Sequence, residues 1–310
     1  MAKAGRVSPG YAKIGDDVAV VPTRPGRLVV KVDMLVESTD VPPGMSYRQA
    51  ARKVVTMCVS DFAAKGVRPD SFMVSLGLRK GVTSAQVKGL GLGFGDAERE
   101  YGVHLVGGDT NEAKELVIDC AMVGFAGKLV LRSGASPGDV LVVTGAFGRQ
   151  PAGLKILMEG IAADSKFAEG AKASVLSPRP NLKVGLALAP YLTSAMDSSD
   201  GLARSIHTLS KDSAVGFEVT CLPIAKGVAA FAHANALDAS KLALEGGEEY
   251  EIVGTVSASR MAKAEGAVRR AGGRLMAIGV ATGRKGVVEL VSEGERKPIR
   301  NGGWTHLSRS

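Results

Sequence analysis

Carboxylates recur in this chain at the ends of predicted elements, next to glycine or another small residue. They are Asp16 and Asp17 in IGDDVAVV, Asp33 in VKVDMLV, Asp61 in CVSDFAAKG, Asp109 in LVGGDT, Asp197 and Asp200 in AMDSSDGL, and Glu248 and Glu249 in EGGEEYE. Each taken alone is equally a turn former or a helix N-cap. Asp200 before GLARSI reads as such a cap, and Asp61 as an exposed helix position. As a set they mean more, because acids gathered in one place repel unless a cation neutralises them. Mg²⁺ suits that task, since it takes carboxylate oxygens and water and usually brings a polyphosphate. The glycine pairs 107–108 and 246–247 would let a backbone come close to phosphate.

Other chemistries find no support. No G-x-x-x-x-G-K-[ST] loop is present; the nearest segment, AGKLV (126–130), lacks the first glycine and the hydroxyl. GLGLGFG (89–95) fails the dinucleotide pattern at its last glycine and follows a helix-like run instead of a strand. H-R-D and D-F-G kinase signatures are missing, as is a G-x-S-x-G elbow. The histidines at 104, 207, 233 and 306 show no metal-ligand spacing. Cys58, Cys120 and Cys221 form no C-x-x-C pair, and Cys120 in VIDCAMVGF reads as core.

The elements that must position the acids alternate between β-like and α-like. Strands are expected at 27–34, 71–78, 104–109, 115–125, 138–145, 194–197, 249–256 and 274–283. Helices are expected at 46–66, 83–102, 151–160, 181–192, 200–213 and 259–273. In the first helix Ala50, Val54, Cys58 and Phe62 share a face, with Ser46 as N-cap and Gly66 just past the end. The loop RSGASPGD (132–139) marks a boundary between two α/β units, residues 1–134 and 135–310.

The chain has 310 residues, 40 of them glycine, with 39 Lys and Arg against 31 Asp and Glu. That composition is globular and suggests two domains. The net charge of +8 invites a nucleic-acid reading, but aromatics are only 5% and the basic residues are scattered, so a solvated surface is the better account. Neither a signal peptide nor an apolar run long enough for a membrane is visible, and sparse cysteine suits a reducing cytoplasm.

In order, IGDDVAVV, VDMLVE, VSDFAAKGVRPD, LVGGDT, RSGASPGDVLVVTG, MDSSDGLARSI and GGEEYEIV resemble the motifs of the thiamine-monophosphate kinase family, within the superfamily of aminoimidazole-ribonucleotide synthetases. The resemblance implies a two-domain α/β (PurM-like) fold whose N-terminal domain contributes strands to a β-barrel across a homodimer. It implies ATP and several Mg²⁺ ions in the cleft between the domains, and transfer of the γ-phosphoryl group to thiamine monophosphate without a covalent nucleophile. By similarity Asp17, Asp33, Asp61, Asp109, Asp197 and Asp200 match metal-binding acids. Gly108 with Asp109, Arg132 and Ser199 match ATP contacts. Glu248 and Trp304 match contacts to thiamine, and Asp40 falls where the family carries a histidine near the substrate. The chain also departs from the family pattern: Glu249 stands for the usual Asp, and Val32, preceded by Lys31, stands for a hydroxyl residue. The alternatives within this reading are an aminoimidazole-ribonucleotide synthetase-type cyclo-ligase and a nucleotide-binding homologue without turnover. Selenophosphate synthetase is disfavoured because no cysteine precedes Cys58, and the hydrogenase-maturation dehydratase because none follows Cys221.

Overall fold

A computed structural model describes residues 19–23 and 26–305. Asp16 and Asp17 lie outside the described residues. The first unit runs β1 (Ala19–Thr23), β2 (Gly26–Val36), α1 (Glu37–Asp40), α2 (Tyr47–Lys65), β3 (Arg68–Arg79), α3 (Ser84–Tyr101), β4 (His104–Ala113) and β5 (Val117–Ala126). Its strands form one sheet in the order β1-β2-β5-β3-β4, antiparallel except for the β3–β4 pair.

The second unit runs β6 (Val140–Val143), α4 (Arg149–Glu159), α5 (Ser165–Leu176), α6 (Leu182–Leu188), β7 (Leu192–Asp197) and α7 (Leu202–Ser213). It continues with β8 (Gly216–Val219), α8 (Val228–Ala234), α9 (Ala239–Glu245), β9 (Ile252–Val256), α10 (Met261–Arg270), β10 (Met276–Thr282), β11 (Val288–Ser292) and β12 (Glu295–Pro298). Its sheet has the order β12-β11-β8-β10-β6-β9-β7. Sequence periodicity offered no assignment for α5, β8, α8, α9, β11 or β12, which are short or lack a clean apolar stripe.

α2 is the hinge of the architecture. Ser46 caps it in a capping box with Gln49, and Gly66 ends it with φ 68° and ψ 31°, a left-handed conformation that glycine adopts without Cβ strain. Nearly every residue from Ala50 to Lys65 is buried, because both flanks of the helix are covered. On one side it packs into the first core with Val29, Leu35, Ile118 and Met122. On the other, Ala63 and Ala64 join Val184 and Leu188 of α6 and Ala195 of β7 in a core shared by the two units. The glycine run 89–95 lies inside α3. A Cβ on Gly93 would stand 2.1 Å from the carbonyl oxygen of Arg48, so close approach of α3 to α2 requires glycine there.

In β2 the pleat sorts side chains by parity. Val29 and Leu35 are buried against α2, and Lys31 and Asp33 share that inward face. Val32 and Met34 point to the opposite face and are exposed.

A cleft between the two sheets

Where α2 meets β2 and the end of β7, the two units enclose a cleft of about 690 Å³. Of the residues singled out in the sequence, Asp33, Asp40, Asp61, Arg132, Asp197, Ser199, Asp200, Glu248 and Trp304 all line it. Gly108 and Asp109 do not. They sit on β4, an exposed edge strand, and Asp109 turns its carboxylate onto the backbone amide of Thr110, 2.8 Å away.

Each acid is delivered by a different element. Asp33 comes from the inward face of β2. Asp61 comes from α2 and, at 5% exposure, is buried and not on the helix surface. Asp197 is the last residue of β7, at 4% exposure, and its Oδ2 accepts the hydroxyl of Ser60 at 2.8 Å. Asp200 does not cap α7: the N-cap is Gly201, with no side-chain capping bond. Its carbonyl instead accepts the amide of Trp304 at 3.0 Å, holding that indole at the rim.

Lys31 sits among these acids. Its ammonium lies 2.6 Å from Asp61 Oδ2 and 3.1 Å from Asp33 Oδ1. Burial opposes that charge, but Asp61 and then Asp33 outweigh it and hold the lysine above its ordinary pKa. It is therefore a permanent cation.

On the far wall, Lys53 is 1% exposed and donates to the carbonyl of Asp40 at 2.8 Å and to Glu248 Oε1 at 2.5 Å. The Asp40 carboxylate accepts the amide of Val36 at 2.8 Å, stapling its own turn. Glu248 holds a positive φ of 62°, with its amide bonded to the carbonyl of Ser199 at 2.6 Å. That crossing explains the neighbouring glycine: a Cβ on Gly247 would stand 2.7 Å from the same carbonyl, and one on Gly108 would stand 2.5 Å from the carbonyl of Val74. At both positions the close approach of the chain itself requires glycine.

The acids after Glu248 turn inward. Glu249 accepts the amide of Gly148 at the start of α4, and burial pushes its carboxyl up to about 8. Glu251 accepts the hydroxyl of Thr144 at 2.6 Å, and burial raises its carboxyl also. The Glu249 departure from the family pattern thus reaches the helix start and not the cleft. Burial, then the charges of Glu248 and Asp197, push the phenol of Tyr250, a residue lining the cleft, well up, so it stays neutral.

Among the described residues no three His, Cys, Asp or Glu side chains converge into a metal cage. Mg²⁺ does not need one: it is commonly held by one or two carboxylates together with substrate phosphates. The oxygens of Asp33, Asp61, Asp197 and Asp200, all facing one cleft, are the right donor chemistry for that mode. Lys31 and Lys53 escaped sequence reasoning. Strand parity carried the signal for Lys31, which lies two residues before Asp33. For Lys53 it was the helical spacing of eight residues before Asp61.

The comparisons with known proteins match the two-unit fold. Models described as AIR synthase related protein, N-terminal and C-terminal domain, match residues 15–126 and 136–291. The two packed α/β units are thus the two domains of the AIR synthase related architecture. The thiamine-monophosphate kinase of Nitrosopumilus maritimus is 36% identical over 281 residues, 91% of this chain and 89% of the relative. That of Pyrococcus horikoshii is 38% identical over 245 residues, covering 78% and 77%. The solved structure of AaThiL complexed with AMPPCP and TMP has a TM-score of 0.85 at 25% identity, covering 95% of this chain and 92% of that one. The chain belongs to the thiamine-monophosphate kinase family. Among the described residues no helix is long and apolar enough to cross a membrane.

Proposed function

We propose that this chain transfers the γ-phosphoryl group of ATP to thiamine monophosphate, releasing ADP and thiamine diphosphate. The observation that carries the reading is one cleft, in a chain of this family, whose acids come from β2, α2 and the end of β7. The β,γ-bridging P–O bond breaks as an oxygen of the acceptor phosphate bonds to the γ-phosphorus. A phosphate monoester loses its second proton near pH ~6, so at neutral pH the attacking oxygen is already anionic and needs no general base. The protein's task is in-line positioning and charge neutralisation.

Asp33, Asp61, Asp197 and Asp200 would hold Mg²⁺, with Asp17 joining them by resemblance. When bound, Mg²⁺ supplies neutralisation of the phosphate oxygens. Arg132 donates charge-assisted hydrogen bonds to phosphate, and Ser199 offers its hydroxyl beside it. Glu248 and Asp40 form the thiamine side, and the Trp304 face meets the cationic thiazolium at the rim. Gly108 and Asp109 remain ATP and metal contacts on the resemblance alone.

Residues 1–134 act as the ATP- and Mg²⁺-binding, dimer-forming domain and 135–310 as the C-terminal α/β domain. The homodimer reading is supported by the outward face of the first sheet. Val32 of β2, Ala121 of β5 and Met73 of β3 lie in one cross-strand row, and Met34 and Phe125 extend it. Exposures of 51–56% for its large residues leave an apolar face that a second copy of the chain would cover. The protein acts in the cytoplasm, with ATP and thiamine monophosphate as its partners and no role for nucleic acid or membrane.

The test is a coupled ADP-release assay with ATP and Mg²⁺. Turnover with thiamine monophosphate is expected. Turnover only with formylglycinamidine ribonucleotide would replace the kinase reading with the cyclo-ligase, and binding of ATP without turnover would make the chain a non-catalytic homologue.

A further inference from the structure

We propose that Glu249 is a positioning residue for the acceptor side of the cleft: it caps α4 from the segment 246–251, so that Glu248 and the cleft face of α4 are held together as one wall. The inference rests on the kinase reading above, because it takes Glu248 to face the thiamine moiety.

The helix has no capping side chain of its own. Its N-cap is Gly148, at φ 96°, so the amides of the first turn need an acceptor from elsewhere. Glu249 supplies it across 101 residues of sequence: its Oε1 accepts the amide of Gly148, and the amide of Gln150 bonds the same carboxyl. The side chain is buried, so water does not compete for those bonds. Three residues earlier, Gly246 lies against the same turn, where a Cβ would stand 1.8 Å from Pro151 Cγ. α4 then presents Leu154, Lys155 and Met158 to the cleft, at the spacing of one helix face.

The other side of the segment is fixed to the loop after β7. The amides of Glu248 and Tyr250 donate to the carbonyls of Ser199 at 2.6 Å and Ser198 at 3.1 Å, and the amide of Ser198 donates to the carbonyl of Glu251 at 2.8 Å. Glu248 and Tyr250, on either side of Glu249, hold φ of 62° and 53°. Residues other than glycine keep such a backbone only where their surroundings enforce it. Glu248 and Tyr250 line the cleft, while Glu249 between them turns to α4. One buried side chain therefore ties the strained backbone that aims Glu248 to the helix that forms the adjoining wall. Burial pushes this carboxyl up to about 8, so near pH 7 it is mostly the acid, whose acceptor oxygen a glutamine reproduces.

The experiment compares full-length wild type, Glu249→Met and Glu249→Gln in the ADP-release assay and in hydrogen exchange of the first turn of α4 without substrate. Glu249→Met keeps the length of the side chain but offers no acceptor. It is expected to raise KM for thiamine monophosphate about 10-fold, with kcat and KM for ATP within about 2-fold, and to speed exchange at the start of α4. Glu249→Gln is expected to match wild type in every one of these. An unchanged KM for thiamine monophosphate in Glu249→Met, an equal rise in both KM values, or a Glu249→Gln that behaves like Glu249→Met overturns the proposal. If Glu249→Met does not fold, wild type decides: saturating thiamine monophosphate is expected to slow exchange of the Gly148 and Gln150 amides, and no change there overturns the proposal. A wild type without turnover of thiamine monophosphate sinks the kinase reading. With wild-type turnover intact, an unmoved KM in Glu249→Met sinks the positioning role alone.

Discussion

The ammonium of Lys53 on α2 lies 2.5 Å from a carboxylate oxygen of Glu248, across 195 residues of sequence and across the junction of the two units. Lys53 also holds the carbonyl of Asp40. One buried lysine at the cleft wall thereby fixes both residues expected to face the thiamine side. It is a positioning residue in this reading. Lys53→Met is expected to raise KM for thiamine monophosphate about 10-fold or more while KM for ATP holds. Leaving Glu248 and the Asp40 carbonyl unsatisfied is expected to cost about 1–3 kcal/mol of stability, seen in a urea titration. Trp304→Ala, which touches only the rim, should raise the same KM with no loss of stability. A rise in both KM values for Lys53→Met would mean that the lysine serves the fold alone.

The acids divide into a buried group and an exposed one, and the division is testable. Asp33→Asn and Asp61→Asn are expected to lower kcat by about 10²-fold or more, because each removes an anionic ligand facing the cleft. Asp109→Asn, on the exposed β4, is expected to do the same if the resemblance carries its role faithfully. An active Asp109→Asn beside an inactive Asp33→Asn would confine the metal site to the cleft.

Glu249 makes stability depend on pH. Its carboxyl is pushed from 4.5 up to about 8 by burial. Between those values the native chain holds a proton that the unfolded chain has released, so the contribution of Glu249 to stability is full below pH ~4.5 and falls as pH rises toward 8, by about 1.4 kcal/mol per pH unit for one such group. Glu251, also raised, adds to the fall. Glu249→Gln keeps an acceptor for the Gly148 amide and removes the titration. Unfolding free energies at pH 5, 6.5 and 8 should decline less steeply in that variant than in wild type. Equal slopes would show that the Glu249 proton is not linked to folding.

The outward sheet face predicts association. Sedimentation equilibrium should report a dimer for wild type, and Met73→Glu, which places a charge in the middle of the apolar row, should shift it to monomer. A wild-type monomer at micromolar concentration would remove the barrel from the proposal.

Local rules made much of this molecule legible. Ser46 and Gly66 bracket α2, Thr83 and Gly102 bracket α3, and the β2 alternation is readable from residue types alone. The acids announced themselves because Asp and Glu beside glycine at element ends are seldom repeated without chemistry. Short elements such as β8 and α9 stayed hidden, since a few residues carry too little periodicity to outweigh turn composition.

The sequence by itself therefore determined the alternation of elements, the two-unit plan and the set of acids, because these depend on neighbours in the chain. Only the tertiary structure decided which acids meet. It brought Asp33, Asp61 and Asp197 to one cleft, left Asp109 on an exposed edge, and turned Glu249 inward to the start of α4. It also decided that Lys31 and Lys53 are among the principal charges of the site. Residue type marks a lysine as a surface group by default, and only the acids packed around it from distant elements make its burial favourable.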